Sequence, residues 1–331
     1  MTKEYREWFC YVMFAVVLFL AEFYFTPVFS LLFLISPLPF MLLQYRFGTH
    51  AAMCAAFISL LSIWLPDVFE QGFSAACSAT NLIYLLMFML LFVFTGMLFG
   101  TLAHTQRSAT DWLLKAITAS VVAKILLMVT IITSTGINPF ALDEALASQI
   151  VSAVSQAANL GSAQNVKAYV TELCATMKLL LPSLLIFYAT ADAFCSYKAA
   201  QKLLKRKGVT LAAFKPFGAW RFPKELSAAI IAALLFQVAV KFMPYYGLKM
   251  VCENLIMVLR AIFTLQGMSV CWCLMGKNKI LKALRLSIFV FSILLFALFS
   301  YPYSFIGIID IWYDLRKIGG KKDEGNSETG R

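Results

Sequence analysis

Five ionisable side chains lie inside stretches of the chain that are otherwise apolar: Glu22, Lys124, Asp192, Glu253 and Arg260. A charge at the centre of a bilayer costs about 2.5 to 3.5 kcal/mol on insertion scales, so each of them is a candidate for function. Lys124 and Arg260 are predicted near the membrane midplane, where they would offer positive charge to an anionic solute entering from outside. The carboxylates could instead neutralise them in structural ion pairs, and Glu22 and Asp192 could relay protons. Sequence spacing does not separate these interpretations.

One polar stripe adds to the case for Arg260. Helical spacing places five residues on one face of an apolar stretch, namely Lys249, Glu253, Arg260, Thr264 and Gly267. Such a face is expected to contact protein or water rather than lipid. The sequence therefore predicts a polar helix face that either binds a solute or pairs with other helices.

Catalytic motifs are missing from the sequence. The two histidines, His50 and His104, do not form a His-Glu-x-x-His zinc motif, and no Gly-x-Ser-x-Gly elbow occurs. Cys271 and Cys273 would point to different faces of a helix, so they are poorly placed to share a metal ion. The chain also lacks a Gly-x-x-x-x-Gly-Lys-Ser/Thr phosphate loop. We therefore expect no enzyme, no cofactor and no metal, and ATP-driven transport would need a partner ATPase.

The elements that must position these residues are apolar helices. The chain has 331 residues, 61% of them hydrophobic, and a mean hydropathy of +0.79, which excludes a water-soluble fold. A helix needs about 20 apolar residues to cross the hydrocarbon layer. Nine stretches qualify: 8–25, 28–44, 48–65, 81–102, 112–135, 174–198, 225–243, 249–275 and 285–309. The sequence predicts an all-α, polytopic transmembrane bundle of about nine spans, the second interrupted by Pro37 and Pro39.

Positive charge in the short loops predicts the orientation. With a cytoplasmic N-terminus, 16 Lys and Arg residues fall inside, against three outside before the tail, Lys167, Lys241 and Lys249. We expect a multi-pass protein of a bacterial cell membrane. The tail disagrees, because nine crossings would place its five cations outside unless the last span breaks at Pro302 and turns back.

Composition divides the chain into four segments: a six-span membrane domain (1–198), a basic cytoplasmic linker (199–224), a three-span membrane segment (225–315) and a polar, disordered tail (316–331). The outer connection 136–173 predicts a weakly amphipathic helix, either a lid over a cavity or a surface helix. Anionic lipid headgroups are the expected contacts of the linker cations, at about 1 kcal/mol per cation. These cations are Lys205, Arg206, Lys207, Lys215 and Arg221. Because the net charge of +11 arises mainly in such loops, nucleic acid is not an expected partner.

Small residues four apart predict close helix packing. Such pairs are Gly96 and Gly100, Ala51 and Ala55, Ala52 and Ala56, Ala228 and Ala232, and Ala229 and Ala233. They suit contacts within the chain or with a partner protein.

Four sequence segments carry a family resemblance: Leu181-Pro182-Ser183-Leu184-Leu185, Lys205-Arg206-Lys207-Gly208, Phe217-Gly218-Ala219-Trp220-Arg221-Phe222-Pro223, and the run from Gly307 to Arg316. Together they resemble the YybS-like family of bacterial multi-pass membrane proteins, whose function is unassigned. The first six spans are also distantly similar to the substrate-capture (S) components of energy-coupling-factor transporters, most of all from Pro37 to Gly48. In S components an Ala-xxx-Ala surface docks the energising partner. The resemblance therefore implies a partner ATPase or a transmembrane coupling protein, docked on the Ala-rich third span.

We expect a small-molecule membrane transport or solute-binding protein, for an anionic solute and without its own ATPase. The alternative is a non-transporting membrane scaffold or regulator that holds partners by its basic linker and small-residue faces. A large water-accessible cavity lined by Lys124 or Arg260 would favour transport, and a closed, tightly packed bundle would favour the scaffold.

Overall fold

A computed structural model describes residues 3–24, 34–105, 108–135, 163–242 and 245–316. Within these residues all regular structure is helical, which confirms the all-α class. Five segments are long and apolar enough to cross a membrane: Leu38–Glu70, Asn81–Thr105, Ala109–Ser134, Val170–Lys205 and Tyr246–Met275. The fold is thus that of a polytopic helical protein. The predicted amphipathic helix after residue 136 and the polar tail beyond Arg316 lie outside the described residues.

The chain forms two compact units. The first comprises Met1–Lys178 and Leu184–Phe214, and the second comprises Leu179–Ser183 and Lys215–Arg331. The division falls within the predicted basic linker, between Phe214 and Lys215. The predicted linker therefore has residues in both units, and its role as a separate segment stays a prediction.

The first unit contains seven helices among the described residues. They are α1 (Lys3–Tyr24), α2 (Leu38–Gln71), α3 (Phe73–Ala76), α4 (Ala79–Phe88), α5 (Thr95–Thr105), α6 (Ala109–Thr135) and α7 (Ala163–Lys205), with a π-helical segment, Met89–Phe94, joining α4 to α5. One turn of α7, Leu179–Ser183, belongs to the second unit. The predicted second and third spans meet in α2, which bends at Gly48, where φ is 81°. His104 contacts the Tyr45 carbonyl at 2.7 Å just before this bend, and Gln44 donates to the Thr49 hydroxyl across it. Side chains thus satisfy polar groups where the helix is interrupted.

Glycine lets α5 approach α2 closely. A Cβ atom at Gly100 would lie 2.7 Å from the Met41 carbonyl oxygen and 2.6 Å from the Gln44 Cβ, and one at Gly96 would meet the Pro37 carbonyl. The predicted close packing by this glycine pair is confirmed as a contact within the chain.

The Ala-rich face of α2 packs inside its own unit. Ala52, Ala55 and Ala56 are buried in one apolar cluster with residues of α1. These alanines pack against α1, which agrees with the expected contacts within the chain, and docking of a partner protein on this helix stays a prediction.

Four helices form most of the second unit. They are α8 (Leu226–Phe242), α9 (Tyr246–Met275), α10 (Lys279–Leu294) and α11 (Phe296–Tyr313), and a 3-10 turn at Phe217–Ala219 precedes them. A Cβ at Gly267 would overlap the Tyr303 carbonyl, and one at Gly307 would overlap the Phe263 carbonyl. These two glycines therefore allow α9 and α11 to pack backbone against backbone.

The predicted ninth span is a helical hairpin. The helix is interrupted at Leu295, where φ is −103° and ψ is 37°, whereas Pro302 lies inside α11. Near the start of α10, the Arg285 guanidinium lies 3.9 Å from the Trp272 ring centre near the end of α9. Just after α11, Arg316 again contacts α9 near its end, at Ser269. The chain therefore turns back, and the tail begins at the same end of α9 as the loop after Met275.

The Asn254 side chain on α9 forms hydrogen bonds with the backbone of α7 beside Pro182. The Asn254 amide donates to the Leu179 carbonyl at 2.7 Å and accepts from the Ser183 N–H at 2.8 Å. In a regular α-helix these two backbone groups would bond to each other. Asn254 thus inserts into the hydrogen-bond ladder of α7, next to the proline that weakens it.

Candidate functional site

Lys124 and Asp192 form a buried ion pair in the first unit. The Lys124 ammonium lies 2.6 Å from Asp192 Oδ2, and the two side chains are 4% and 2% exposed. Ser120, one turn before Lys124 on α6, donates its hydroxyl to the Asp192 carboxylate at 3.0 Å. The Tyr188 ring centre lies 4.6 Å from the ammonium. Asp192 therefore neutralises Lys124, as the structural alternative from the sequence proposed.

Arg260 has a different environment, in the middle of α9 in the second unit. It donates to the Tyr301 hydroxyl at 2.8 Å and contacts the Met257 sulfur at 3.1 Å. Its guanidinium also lies 5.2 Å from the Tyr301 ring centre. The ion pairs formed within the described ranges include neither Arg260 nor Glu253. Arg260 is thus a half-buried cation whose contacts in the described structure are neutral.

Hydroxyl groups hold the backbone around Arg260. Thr264 and Ser304 donate to the Arg260 carbonyl oxygen at 2.7 and 3.0 Å, and their hydroxyl oxygens lie 2.7 Å apart. Three members of the predicted polar stripe, Arg260, Thr264 and Gly267, face α11, whereas Lys249 near the start of α9 is exposed. The stripe is therefore a packing face with one cation at its edge.

Glu22 and Glu253 are not brought to either cation by any described contact. Glu22 lies in the last turn of α1, and its side chain lies outside the described residues. Glu253 is on α9, two helical turns before Arg260. Among the predicted site residues whose side chains are described, the structure joins Lys124 and Asp192.

A second buried ion pair was missed in the sequence. Arg316 and Asp310, both 0% exposed, pair at 2.7 Å. Arg316 also donates to the carbonyls of Gly218 and Trp220 at 2.9 and 2.8 Å, and Gln266 donates to Asp310 at 3.0 Å. The predicted boundary before Arg316 cuts this network, because composition alone assigns that residue to the tail. The signal was Asp310 itself, a carboxylate within the apolar run 308–311 that requires a cation.

The basic linker is ordered and folds onto its own units. Tyr197 donates to the Ala212 carbonyl at 2.8 Å, and Ser269 donates to the Phe217 carbonyl at 2.6 Å. Two of its five predicted lipid-binding cations are in ion pairs, Lys207 with Glu7 and Arg221 with Asp314. The remaining three, Lys205, Arg206 and Lys215, are exposed. Contact of these cations with lipid stays a prediction.

A shallow depression within the described residues lies on α10 and is apolar. Leu286, Ser287, Val290 and Phe291 line it, so it includes neither Lys124 nor Arg260. It is therefore not the cavity lined by Lys124 or Arg260 that would favour transport.

Comparison with known proteins identifies the family. The model of the predicted membrane protein family DUF2232 matches residues 13–311, which reach from α1 to α11. Neither a curated protein nor a solved structure matches the chain significantly. The family match spans most of the chain and agrees with its apolar helices. The chain therefore belongs to the predicted membrane protein family DUF2232.

Proposed function

We propose that this protein is a membrane transport or solute-binding protein whose small anionic solute binds at Arg260. One observation supports the proposal: a guanidinium in the middle of α9 has no carboxylate partner within the described residues. An arginine at membrane depth is costly unless it is paired or hydrated. The anionic group of a solute supplies the missing charge.

The chemistry of the site favours a carboxylate or a phosphate ester with one negative charge. Arginine presents a planar fork that binds two oxygens of such a group at once. The Tyr301 hydroxyl accepts from Arg260, so its own hydrogen can point to the same anion. Because Thr264 and Ser304 hold the Arg260 backbone, the cation is positioned before the solute arrives.

The energy source in this proposal is a partner. The sequence has no phosphate-binding loop, and the resemblance of the first six spans to S components points to a partner ATPase or a transmembrane coupling protein. Such a partner would dock on the Ala-rich third span, within α2, as the resemblance implies.

The proposed location is the cell membrane, with the N-terminus in the cytoplasm. The α10–α11 hairpin supports this orientation, because it brings Arg316 to the same end of α9 as Arg285. The charge of Arg316 then agrees with the positive-inside rule.

A second candidate is a membrane scaffold that binds a partner helix. The observation in its favour is the exposure of Tyr301, which contacts Arg260, and of Phe305, one turn further along α11, at 65% and 66%. A carboxylate on a partner's transmembrane helix could reach Arg260 from this outer face and form the ion pair in place of a solute.

Thermal stabilisation of the full-length protein tests both candidates. Small carboxylates and phosphate esters are added at constant ionic strength to the wild type, to Arg260→Gln and to the control Lys249→Gln. A ligand at about 100 times its Kd stabilises the folded state by about 2.7 kcal/mol. The transport proposal expects stabilisation of the wild type and the control, but not of Arg260→Gln. An Arg260→Gln variant that still responds would exclude this site. If no anion stabilises the wild type, and a membrane protein co-purifies with it but not with Arg260→Gln, the scaffold is favoured instead.

A further inference from the structure

The Lys124–Asp192 pair is not explained by packing alone. Both groups are almost fully buried on helices that are apolar enough to cross a membrane. Removing each charge from water costs several kcal/mol, and replacing such a pair with apolar residues is often neutral or stabilising. A pair kept at this depth is therefore a candidate for chemistry that apolar residues cannot perform.

The carboxylate has room for one more hydrogen. Asp192 Oδ2 accepts from Lys124 at 2.6 Å and from Ser120 at 3.0 Å, whereas Oδ1 lies 3.3 Å from the same Ser120 hydroxyl. A hydroxyl has a single hydrogen, so Ser120 can donate a good hydrogen bond to only one of the two carboxylate oxygens. The backbone of Ala193 also contacts the carboxylate. Of the two oxygens, Oδ1 has only the longer contact with a side chain, so a proton can add there.

The ammonium has a second contact that does not depend on Asp192. Lys124 lies over the Tyr188 ring, with 4.6 Å between the ammonium nitrogen and the ring centre. A cation–π contact is stronger when it is shielded from water, as it is here. The ring would partly stabilise Lys124 when the opposite charge is removed.

Few other groups face the pair. Lys124 and Ser120 face Asp192 from α6, while Tyr188 and Cys195 are its neighbours on α7. No further ion pair reaches Lys124 or Asp192 from the described residues. The site thus holds one cation and one anion, with a net charge of zero.

We infer that Lys124 and Asp192 form a proton-binding site, at which Asp192 takes up one proton while Lys124 keeps its own. The carboxylate becomes a carboxylic acid and the O–H bond is the only bond formed, so the site changes from net neutral to a single positive charge. Lys124 then keeps its hydrogen bond to Ser120 and its contact with the Tyr188 ring. A buried positive charge that appears with the proton attracts an anion, which would couple proton entry to anion binding. The inference goes beyond the Arg260 proposal and does not depend on it.

Infrared difference spectroscopy tests the inference without any solute. The full-length protein, with carbon-13 in its aspartate carboxyl groups, is placed in lipid nanodiscs and acidified from about pH 9 to about pH 5. We expect a protonated-carboxyl band that shifts with the label and is lost in Asp192→Asn. The control Asp111→Asn, which changes an exposed aspartate on α6, should keep the band.

A second variant keeps the inference testable if Asp192→Asn does not fold. In Lys124→Gln the carboxylate loses its cation, so Asp192 should be protonated already at the high end of the range and the labelled band should not change with pH. A wild type without the labelled band would mean that the pair stays ionised and is structural only. A band that persists in folded Asp192→Asn would assign the proton elsewhere. Either result overturns the inference, and neither bears on anion binding at Arg260.

Discussion

Among the described residues each unit buries one ion pair, and the two pairs are held by different parts of the chain. The hydrogen bonds that Lys124 donates to described residues go to side chains, those of Asp192 and Ser120. Arg316 donates to Asp310 and also to the backbone carbonyls of Gly218 and Trp220. The first pair joins two helices through side chains, whereas the second fastens a loop segment to the end of α11.

This difference indicates what each pair can do. The backbone carbonyls at Arg316 need a donor whatever the protonation state of Asp310, so that cation has a structural task. The charge on Asp192 can change without releasing any backbone carbonyl held by Lys124. The hydrogen bonds that a buried cation makes besides its ion pair therefore help to distinguish a structural pair from one whose carboxylate can be protonated.

The largest expected effect follows from Arg316→Gln. The change leaves the buried Asp310 carboxylate unpaired and removes donors from two carbonyls, so we expect a loss of about 3 to 5 kcal/mol in the free energy of unfolding. Denaturant titration of the purified protein measures it. The control is Arg221→Gln, which breaks a partly exposed pair with Asp314 and should cost less than about 1 kcal/mol. Equal losses in the two variants would refute a structural role for Arg316.

Replacing both members of each ion pair with apolar residues tests the difference between the two pairs. Lys124→Met with Asp192→Leu removes both charges and leaves no backbone group of another segment unpaired, so stability should stay within about 1 kcal/mol of the wild type or rise. The matching change, Asp310→Leu with Arg316→Met, leaves two backbone carbonyls without a donor. It should lower the free energy of unfolding by about 2 to 4 kcal/mol. Thermal and denaturant unfolding of both double variants give the values. A first-unit double variant that is the less stable of the two would contradict this interpretation.

A smaller effect is expected where α9 meets α11. Gly307→Ala places a methyl group against the Phe263 carbonyl, and the helices must separate slightly, at a cost of about 1 to 3 kcal/mol. Gly218→Ala is the matched control, because its Cβ would lie 3.4 Å from Cys273, an ordinary contact. The melting temperature should fall in the first variant and stay nearly constant in the second. Unchanged melting of Gly307→Ala would argue against the close crossing.

Labelling tests the hairpin with no expected effect on stability. Single cysteines at positions 246 and 278, in an otherwise Cys-free chain, mark the two ends of α9. A C-terminal tag should be accessible from the same side as position 278 and from the side opposite to position 246. A tag reached only from the side of position 246 would show that the chain crosses once more.

The sequence predicted those features that depend on residues close together in the chain. Apolar composition predicted the helices, and the spacing of Gly96 and Gly100 predicted a tight crossing that the structure confirms. The stripe containing Arg260 and Thr264 was also recognisable, because residues three and four apart share a helix face.

Properties that depend on distant residues were not predictable. Lys124 and Asp192 are 68 positions apart, so only tertiary packing decides that they pair. The turn at Leu295 has no glycine or proline at the break, while Pro302 marked a break and lies inside α11. Proline is tolerated within transmembrane helices when neighbouring groups satisfy the backbone. Arg316 was missed because its charge resembles that of the polar tail.

The α10–α11 hairpin also affects how the protein can be inserted into a membrane. A final crossing would carry the cationic tail through the bilayer, and each elementary charge moved outward against an inside-negative potential of about 100 mV costs about 2.3 kcal/mol. Since α11 returns to the side on which α10 begins, Arg316 need not be moved across the membrane. The last two helices can therefore enter together, as a folded pair, from the side on which α10 begins.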